Sequence, residues 1–175
     1  MSPAVLLPGF VISTIKEETM FKKAERSQSK MRLALMGPSG SGKTYSSLLI
    51  AKGLGGKIAM IDTERGSGSL YADSAAYDVC ELKPPFTPEG YVQAIRAAEN
   101  AGYDVLIIDS LSHAWAGEGG ILEFVDKATQ SLKNNFAAWR EASPKHNTLV
   151  DAILGAGCHI IVTMRSKTAW EVQKD

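Results

Sequence analysis

The sequence predicts an α/β fold in which a mostly parallel sheet of about five strands is covered by helices on both faces. Two observations support this prediction. Short apolar runs typical of buried strands alternate with longer runs of helical periodicity, as in parallel sheets with crossover helices. In addition, residues 37–44 read Gly-Pro-Ser-Gly-Ser-Gly-Lys-Thr between a strand-like run and a helix-like run, which is the setting of a phosphate-binding loop.

Composition bounds the possible classes of protein. The 175 residues are 45% hydrophobic and 22% charged, which suits one globular domain with its own core. Basic and acidic residues number 19 each, so any contact with nucleic acid must be local. No apolar run approaches the roughly 18 residues that span a bilayer, and we expect a cytoplasmic protein without membrane contact. Cys80 and Cys158 lie in apolar runs and are predicted to be reduced, buried thiols.

The chain divides into two parts at about residue 30. Residues 1–30 are predicted to form an N-terminal extension that is partly flexible, since neither its apolar first part nor its basic second part shows strong periodicity. One hypothesis is that the working protein begins at Met20. Residues 31–175 are predicted to form the folded domain.

The first half of this domain is predicted to contain three strands and two helices. The strands are residues 31–36, 57–62 and 77–82, and the helices are residues 45–52 and 70–76.

The second half begins with a helix that has a clear start signal. Thr87 is a predicted N-cap, Pro88 occupies the first helical position, and the helix extends to about Ala101. Strands are predicted at residues 104–110 and 158–164, and helices at residues 121–132, 134–142 and 146–156, with Pro144 separating the last two.

The glycines of residues 37–44 explain how the loop binds phosphate. Because glycine has no side chain, the backbone N–H groups of the loop can surround a triphosphate. The helix N-terminus and Lys43 would also attract its negative charge. We expect Lys43 to reach the β- and γ-phosphates and Thr44 to ligate Mg²⁺. The predicted ATP-binding residues are Gly37, Pro38, Ser39, Gly40, Ser41, Gly42, Lys43, Thr44 and Tyr45.

Two acidic residues complete the predicted site. Asp109 ends a strand of four apolar residues and is expected at the carboxyl edge of the sheet, where it would hold the water shell of Mg²⁺ with Thr44. Glu64 follows the strand of residues 57–62 at the same edge and is the candidate for orienting the water that attacks the γ-phosphate. A solvated loop carboxylate is the alternative for Glu64.

Several segments resemble RecA. Residues 58–64, followed by residues 70–72, look like the RecA segment that ends in the catalytic glutamate, and residues 105–110 are similar to the segment that ends in Asp-Ser. More closely, residues 21–167 resemble a phage and prophage family of small RecA-like, AAA-type ATP-binding proteins, some of which are short recombinases. The motifs that carry this match are residues 37–44, 107–110 and 163–167.

The resemblance implies a three-layer RecA-like P-loop core. The strand of residues 158–164 should then lie between the strand before Gly37 and the strand of Asp109, with the strand of Asp62 beyond. We expect the strand before Gly37 near the middle of the sheet. Family members continue with further strands, so the resemblance implies that the domain is truncated at its C-terminus. It also implies a homo-oligomer.

The chain departs from RecA after its last strand. RecA has an Asn-Gln pair that senses the γ-phosphate, whereas Met164 and Arg165 stand here. Arg165 could sense phosphate in cis, act across a subunit interface as an arginine finger, or be an ordinary surface residue.

By the same resemblance, single-stranded DNA would contact residues 111–120 and 165–170. Trp115 and Trp170 could stack on bases, and Arg165 and Lys167 could meet phosphates. Trp115 could equally pack against the sheet. The three histidines, His113, His146 and His159, have no ligand-like spacing, and we assign them no role.

Three functions remain open from the sequence. The first is a Mg²⁺-dependent ATP hydrolase of phage DNA recombination, repair or replication. The second is a small-molecule kinase, which would share the loop and the Mg²⁺ site, although no arginine-rich lid is evident. The third is a nucleotide-dependent binding module with little hydrolysis.

Overall fold

The computed structural model describes Lys23 and residues 29–166. The predicted extension of residues 1–30 therefore lies almost wholly outside the described residues, as do Lys167, Trp170 and the C-terminus. The strands are β1 (Arg32–Gly37), β2 (Ile58–Asp62), β3 (Asp78–Glu81), β4 (Val105–Asp109) and β5 (His159–Arg165). The helices are α1 (Lys43–Leu54), α2 (Pro88–Asn100), α3 (Ser112–Ala116), α4 (Ile121–Leu132) and α5 (Asn135–Gly155), with a 3₁₀ helix at Ser67–Tyr71.

The five strands form one parallel sheet in the order β1-β5-β4-β2-β3. Every residue of β2 and β4 is buried, as expected for central strands covered on both faces. The predicted fold class is confirmed, and β5 lies between β1 and β4 with β2 beyond, as predicted.

The predicted position of β1 near the middle of the sheet is wrong. Within residues 29–166, β1 pairs only with β5, through a register that runs from Arg32 opposite Ile160 to Gly37 opposite Arg165. All the other described strands lie on the β5 side. As a result β1 is an edge strand, and its Ala34 and Met36 are exposed.

Helices cover both faces of the sheet and give the predicted three layers. The first face packs against α2 and α5, and its buried residues include Ile61, Leu106, Ile108, Ile160, Tyr91, Ile95 and Leu149. The second face packs against α1, and its buried residues include Met60, Val105, Ile107, Ile161, Leu48 and Ala51. Side chains alternate between the faces along each strand, so both cores come from the same apolar runs.

The two helices predicted for residues 134–142 and 146–156 are one helix, α5, which continues through Pro144. An interior proline removes a hydrogen bond and costs about 3 kcal/mol. Burial opposes that cost, because Ala138 and Ala142 pack against α4 and Leu149 packs under the sheet.

Local details correct or confirm the remaining expectations. Thr87 caps α2, because its Oγ1 accepts from the Gly90 N–H at 3.2 Å. The helix expected at residues 70–76 is instead the 3₁₀ helix that starts after Gly66, whose φ is 87°. Cys158 is buried, but Cys80 is exposed because β3 is an edge strand.

In the part of the chain that the structure describes, no helix combines the length and apolar character needed to cross a membrane.

Candidate nucleotide-binding and catalytic site

The phosphate loop, residues 37–44, joins β1 to α1. Residues 38–42 are exposed, and Gly42 has a φ of 79°, a left-handed conformation that glycine adopts without strain. A Cβ added at Gly37 would lie 2.7 Å from Ser41 Oγ, so a larger residue there would require the Ser41 hydroxyl to move. Helix α1 has no acidic residue in its first turn and no side-chain cap among the described residues. Its N-terminal amides are therefore available to an anion.

The Lys43 side chain lies across the phosphate loop. Its Nζ donates to the carbonyl oxygens of Gly37 at 3.0 Å and Pro38 at 2.7 Å, and Ser41 Oγ is 3.5 Å away. These partners are neutral oxygens, so phosphate oxygens would be stronger partners for the ammonium group. Tyr45 follows on α1 with 44% of its surface exposed, and its ring centroid is 6.0 Å from that of Tyr71.

Asp109 brings the ends of three elements together. It is 3% exposed at the end of β4. The Thr44 hydroxyl donates to its Oδ2 at 2.5 Å, and the Thr163 hydroxyl of β5 donates to its Oδ1. Hydroxyl and carboxylate oxygens are ligands that Mg²⁺ prefers. Thr44 and Asp109 therefore fit the metal-binding pair that the sequence predicted, and Thr163 is an additional residue that the sequence reasoning did not single out.

Glu64 lies just beyond the end of β2, beside the end of β4. Asp62 pairs with Asp109 in the sheet register, and its Oδ1 accepts from the Glu64 N–H at 2.6 Å. The Glu64 carboxylate forms an ion pair with the Arg165 guanidinium at the end of β5. Glu64 and Arg165 are thus brought together at the edge that carries Asp109.

Arg165 lies next to the start of the phosphate loop. It is opposite Gly37 in the register of β1 and β5, and the following residue, Ser166, donates its N–H to the Gly37 carbonyl at 3.1 Å. The Arg165 N–H donates to Ser112 Oγ at 2.8 Å. The backbone of Arg165 is therefore held from both sides, and its side chain starts between the loop and Glu64.

Glu64, Asp109 and the residues next to them form one hydrogen-bonded network. We call this network the carboxylate cluster, and it consists of Asp62, Thr63, Glu64, Asp109 and Ser110. The Thr63 N–H donates to the Asp109 carbonyl at 2.7 Å, and the Ser110 N–H donates to Thr63 Oγ1 at 2.8 Å. These two bonds tie the end of β2 to the end of β4.

His113, to which the sequence gave no role, contacts this cluster. Its Nδ1 lies 2.7 Å from Thr63 Oγ1, and its ring stacks on Phe86 with centroids 5.0 Å apart. Burial lowers the pKa of His113, and the positive charge of Arg65 adds to this, whereas the negative charge of Asp109 opposes it. Spacing along the sequence gave no signal for this contact, because Thr63 and His113 are far apart in the chain.

The segments expected to contact DNA are partly described. Residues 111–120 contain the short helix α3, so the segment is not simply a loop. Trp115 is 41% exposed and packs on α5 rather than on the sheet, with its ring 5.9 Å from Trp139 and 5.5 Å from His146. A groove of about 640 Å³ lies beside it and includes Met36 and Arg165 in its lining. Of residues 165–170, the structure describes only Arg165 and Ser166.

Comparison with known proteins gives the family. The family model described as an AAA domain matches residues 29–175. No curated protein matches the chain. The matched range covers most of the sequence and includes the phosphate loop, β4 and β5. The chain therefore belongs to this AAA domain family of P-loop nucleotide-binding ATPases.

Proposed function

We propose that the protein is a RecA-like phage ATPase that hydrolyses ATP with Mg²⁺ and couples hydrolysis to DNA recombination, repair or replication. The observation that carries the proposal is the convergence of four side chains at one edge of the sheet. Lys43 starts the helix after the phosphate loop, Asp109 ends β4, Glu64 follows β2, and Arg165 ends β5. A binding module alone would not need a second carboxylate beside the Mg²⁺ ligand.

In the proposed reaction each residue has one task. Lys43 and the loop amides bind the β- and γ-phosphates of ATP. Thr44 and Asp109 would hold Mg²⁺, which supplies charge stabilisation at the phosphate oxygens. Glu64 orients the attacking water and accepts its proton. The buried hydrogen bonds of the carboxylate cluster hold the Glu64 backbone in place for this task.

For Arg165 we propose a role in cis. Its guanidinium contacts Glu64 of the same chain, and its backbone lies opposite Gly37. An arginine in this position can exchange its Glu64 partner for the γ-phosphate when ATP binds, because phosphate carries more negative charge than one carboxylate. Glu64 is then released to orient water. A homo-oligomer, which the RecA resemblance implies, would add residues in trans and is part of the same proposal.

The proposed DNA contact uses residues 111–120 and the end of β5. Trp115 offers an exposed aromatic face for base stacking, and Arg165 lines the adjoining groove. The neutral balance of charge over the whole chain makes this contact local rather than a broad electrostatic surface.

The hydrolytic role is tested with Glu64→Gln, because glutamine keeps the size of the side chain but cannot accept the proton. We expect kcat for ATP to fall by about 10²- to 10⁴-fold, the contribution typical of a general base, while the Kd for ATP changes little. Glu81→Gln is the matched control, since Glu81 ends β3 at the same edge and is exposed. Unchanged phosphate release in Glu64→Gln would overturn the assignment.

The DNA role is tested by measuring the ATPase rate with and without single-stranded DNA over a salt series. We expect stimulation that declines as salt rises, because phosphate contacts release counterions. Trp115→Ala should reduce the stimulation, whereas Phe136→Ala, which removes an exposed aromatic ring on α5, should not. A rate that does not respond to DNA at any salt concentration would remove DNA from the proposal.

A further inference from the structure

His113 lies in the segment of residues 111–120, and its side chain contacts the carboxylate cluster. Its Nδ1 is 2.7 Å from Thr63 Oγ1, and Thr63 directly precedes Glu64. Thr63 is 3% exposed and Ser110 is 1% exposed. Buried polar groups usually have partners, although the Ser110 hydroxyl has none among the described residues. The direction of the hydrogen bonds at the Thr63 hydroxyl therefore follows from its own neighbours.

The Thr63 hydroxyl has one hydrogen to donate, and its neighbours are His113 Nδ1, the Ser110 backbone and the hydroxyl of Tyr91. It accepts from the Ser110 N–H at 2.8 Å, and it can donate to His113 Nδ1 at 2.7 Å or to the Ser110 carbonyl at 3.2 Å. That carbonyl already accepts from the Tyr91 hydroxyl at 3.0 Å. Burial raises the pKa of Tyr91, so Tyr91 stays a donor. The shorter distance favours donation from Thr63 to His113 Nδ1.

This assignment requires neutral His113 with its proton on Nε2. Burial lowers the pKa of His113, which favours the neutral ring. Stacking on Phe86 fixes the plane of the imidazole, with an interplanar angle of 21°. Phe86 is itself held, because its N–H donates to the Glu118 carbonyl at 2.7 Å. The His113 ring is therefore a fixed acceptor rather than a mobile surface group.

The geometry points to His113 as a positioning residue, which acts through the Thr63 hydroxyl to hold the backbone that carries Glu64 against the end of β4. This inference rests on the proposed hydrolytic role of Glu64. The bond that the Thr63 hydroxyl donates to His113 Nδ1 leaves its oxygen facing the Ser110 N–H, and Ser110 follows Asp109. One side chain thus adds to the backbone bonds that set the relative position of the water-orienting acid and the metal-binding acid.

Such a residue changes the rate of hydrolysis without touching ATP. A displacement of about 1 Å at a catalytic group can lower the rate by about 10²-fold. We therefore expect His113→Leu to lower kcat by about 10- to 100-fold, with the KM for ATP and the Kd of a fluorescent ATP analogue within about twofold of wild type, because His113 is not part of the phosphate loop. His113→Asn should retain most of the activity, since its Oδ1 can accept the Thr63 hydrogen in place of Nδ1.

Two further variants separate this role from general packing. His146→Leu is the matched control. His146 and His113 both line the groove beside Trp115, but the structure gives His146 no hydrogen bond to Thr63. The kcat of this variant should be unchanged. The double variant Thr63→Val/His113→Leu should lose no more activity than Thr63→Val alone, because both remove the same hydrogen bond. Additive losses, or equal losses in His113→Leu and His113→Asn, would overturn the inference.

A direct measurement covers the case in which His113→Leu fails to fold. The ¹⁵N chemical shifts of the His113 ring in the wild-type protein should show an unprotonated Nδ1 and a protonated Nε2, and a protonated Nδ1 would overturn the inference. Absence of ATP hydrolysis in the wild-type protein would overturn both this inference and the proposed function. Full activity in folded His113→Leu, together with inactive Glu64→Gln, would overturn only the inference about His113.

Discussion

The phosphate loop and the carboxylate cluster lie at the same edge of the sheet, but they differ in burial and in hydrogen bonding. Residues 38–42 of the loop are exposed, and among the described residues Lys43 bonds to neutral oxygens of the loop itself. In the cluster, Asp62, Thr63, Asp109 and Ser110 are each at most 3% exposed. Three N–H groups of the cluster, those of Thr63, Glu64 and Ser110, donate to other atoms of the cluster.

This difference is consistent with the roles that we propose for the two regions. A loop that surrounds phosphate cannot commit its donors to buried partners before the ligand arrives, so it can contribute little to the folded state. Carboxylates that position water and a cation must be held in advance, and buried hydrogen bonds do this while also stabilising the protein. We therefore expect substitutions in the loop to affect binding alone, and substitutions around the cluster to affect stability as well.

Of the three tests of this comparison, the largest effect is expected on ATP binding by the loop. Lys43→Ala should weaken ATP binding by about 10- to 150-fold, which corresponds to about 1.5–3 kcal/mol for hydrogen bonds to a charged group. The free energy of unfolding should change by less than about 0.5 kcal/mol. Titration with a fluorescent ATP analogue and urea denaturation measure the two quantities. A loss of stability comparable to the loss of affinity would contradict the comparison, because the loop would then be part of the stable fold.

A second test removes a hydroxyl that bonds to the cluster and a hydroxyl of the loop. Thr163→Val should lower the free energy of unfolding by about 1–3 kcal/mol, because the buried carboxylate of Asp109 loses a donor while the shape of the side chain is kept. Ser39→Ala, in the exposed loop, should change it by less than about 0.5 kcal/mol. Urea denaturation of both variants measures the difference. Equal stabilities for the two would show that the cluster is no better held than the loop.

The smallest effect is expected where the two regions meet, at the ion pair of Arg165 and Glu64. The side chains are 42% and 18% exposed, so solvent screens the pair. Arg165→Ala should lower the free energy of unfolding by less than about 1 kcal/mol. Arg140→Ala, on the exposed face of α5, is the control for loss of a surface charge. Thermal denaturation of both proteins checks this, and a loss above about 2 kcal/mol would place Arg165 within the stable cluster.

The sequence predicted most of the architecture correctly because the relevant signals are local. Apolar runs located all five strands, and Thr87 with Pro88 located the start of α2. The failures occur where a local signal competes with packing. Pro144 predicted a helix break, but the buried alanines of α5 keep the helix continuous. The apolar run around Cys80 predicted burial, but an edge strand leaves that residue exposed.

The same distinction separates the two halves of the site. The sequence by itself determined the phosphate loop, and it placed Asp109 and Glu64 at one edge, because the carboxyl ends of parallel strands share an edge. Only the tertiary structure decided that β1 is an outermost strand of the described sheet, that Arg165 pairs with Glu64, and that Thr63 bonds to His113. These contacts join residues far apart in the chain, so they depend on strand order and helix packing, which leave no periodic signal in the sequence.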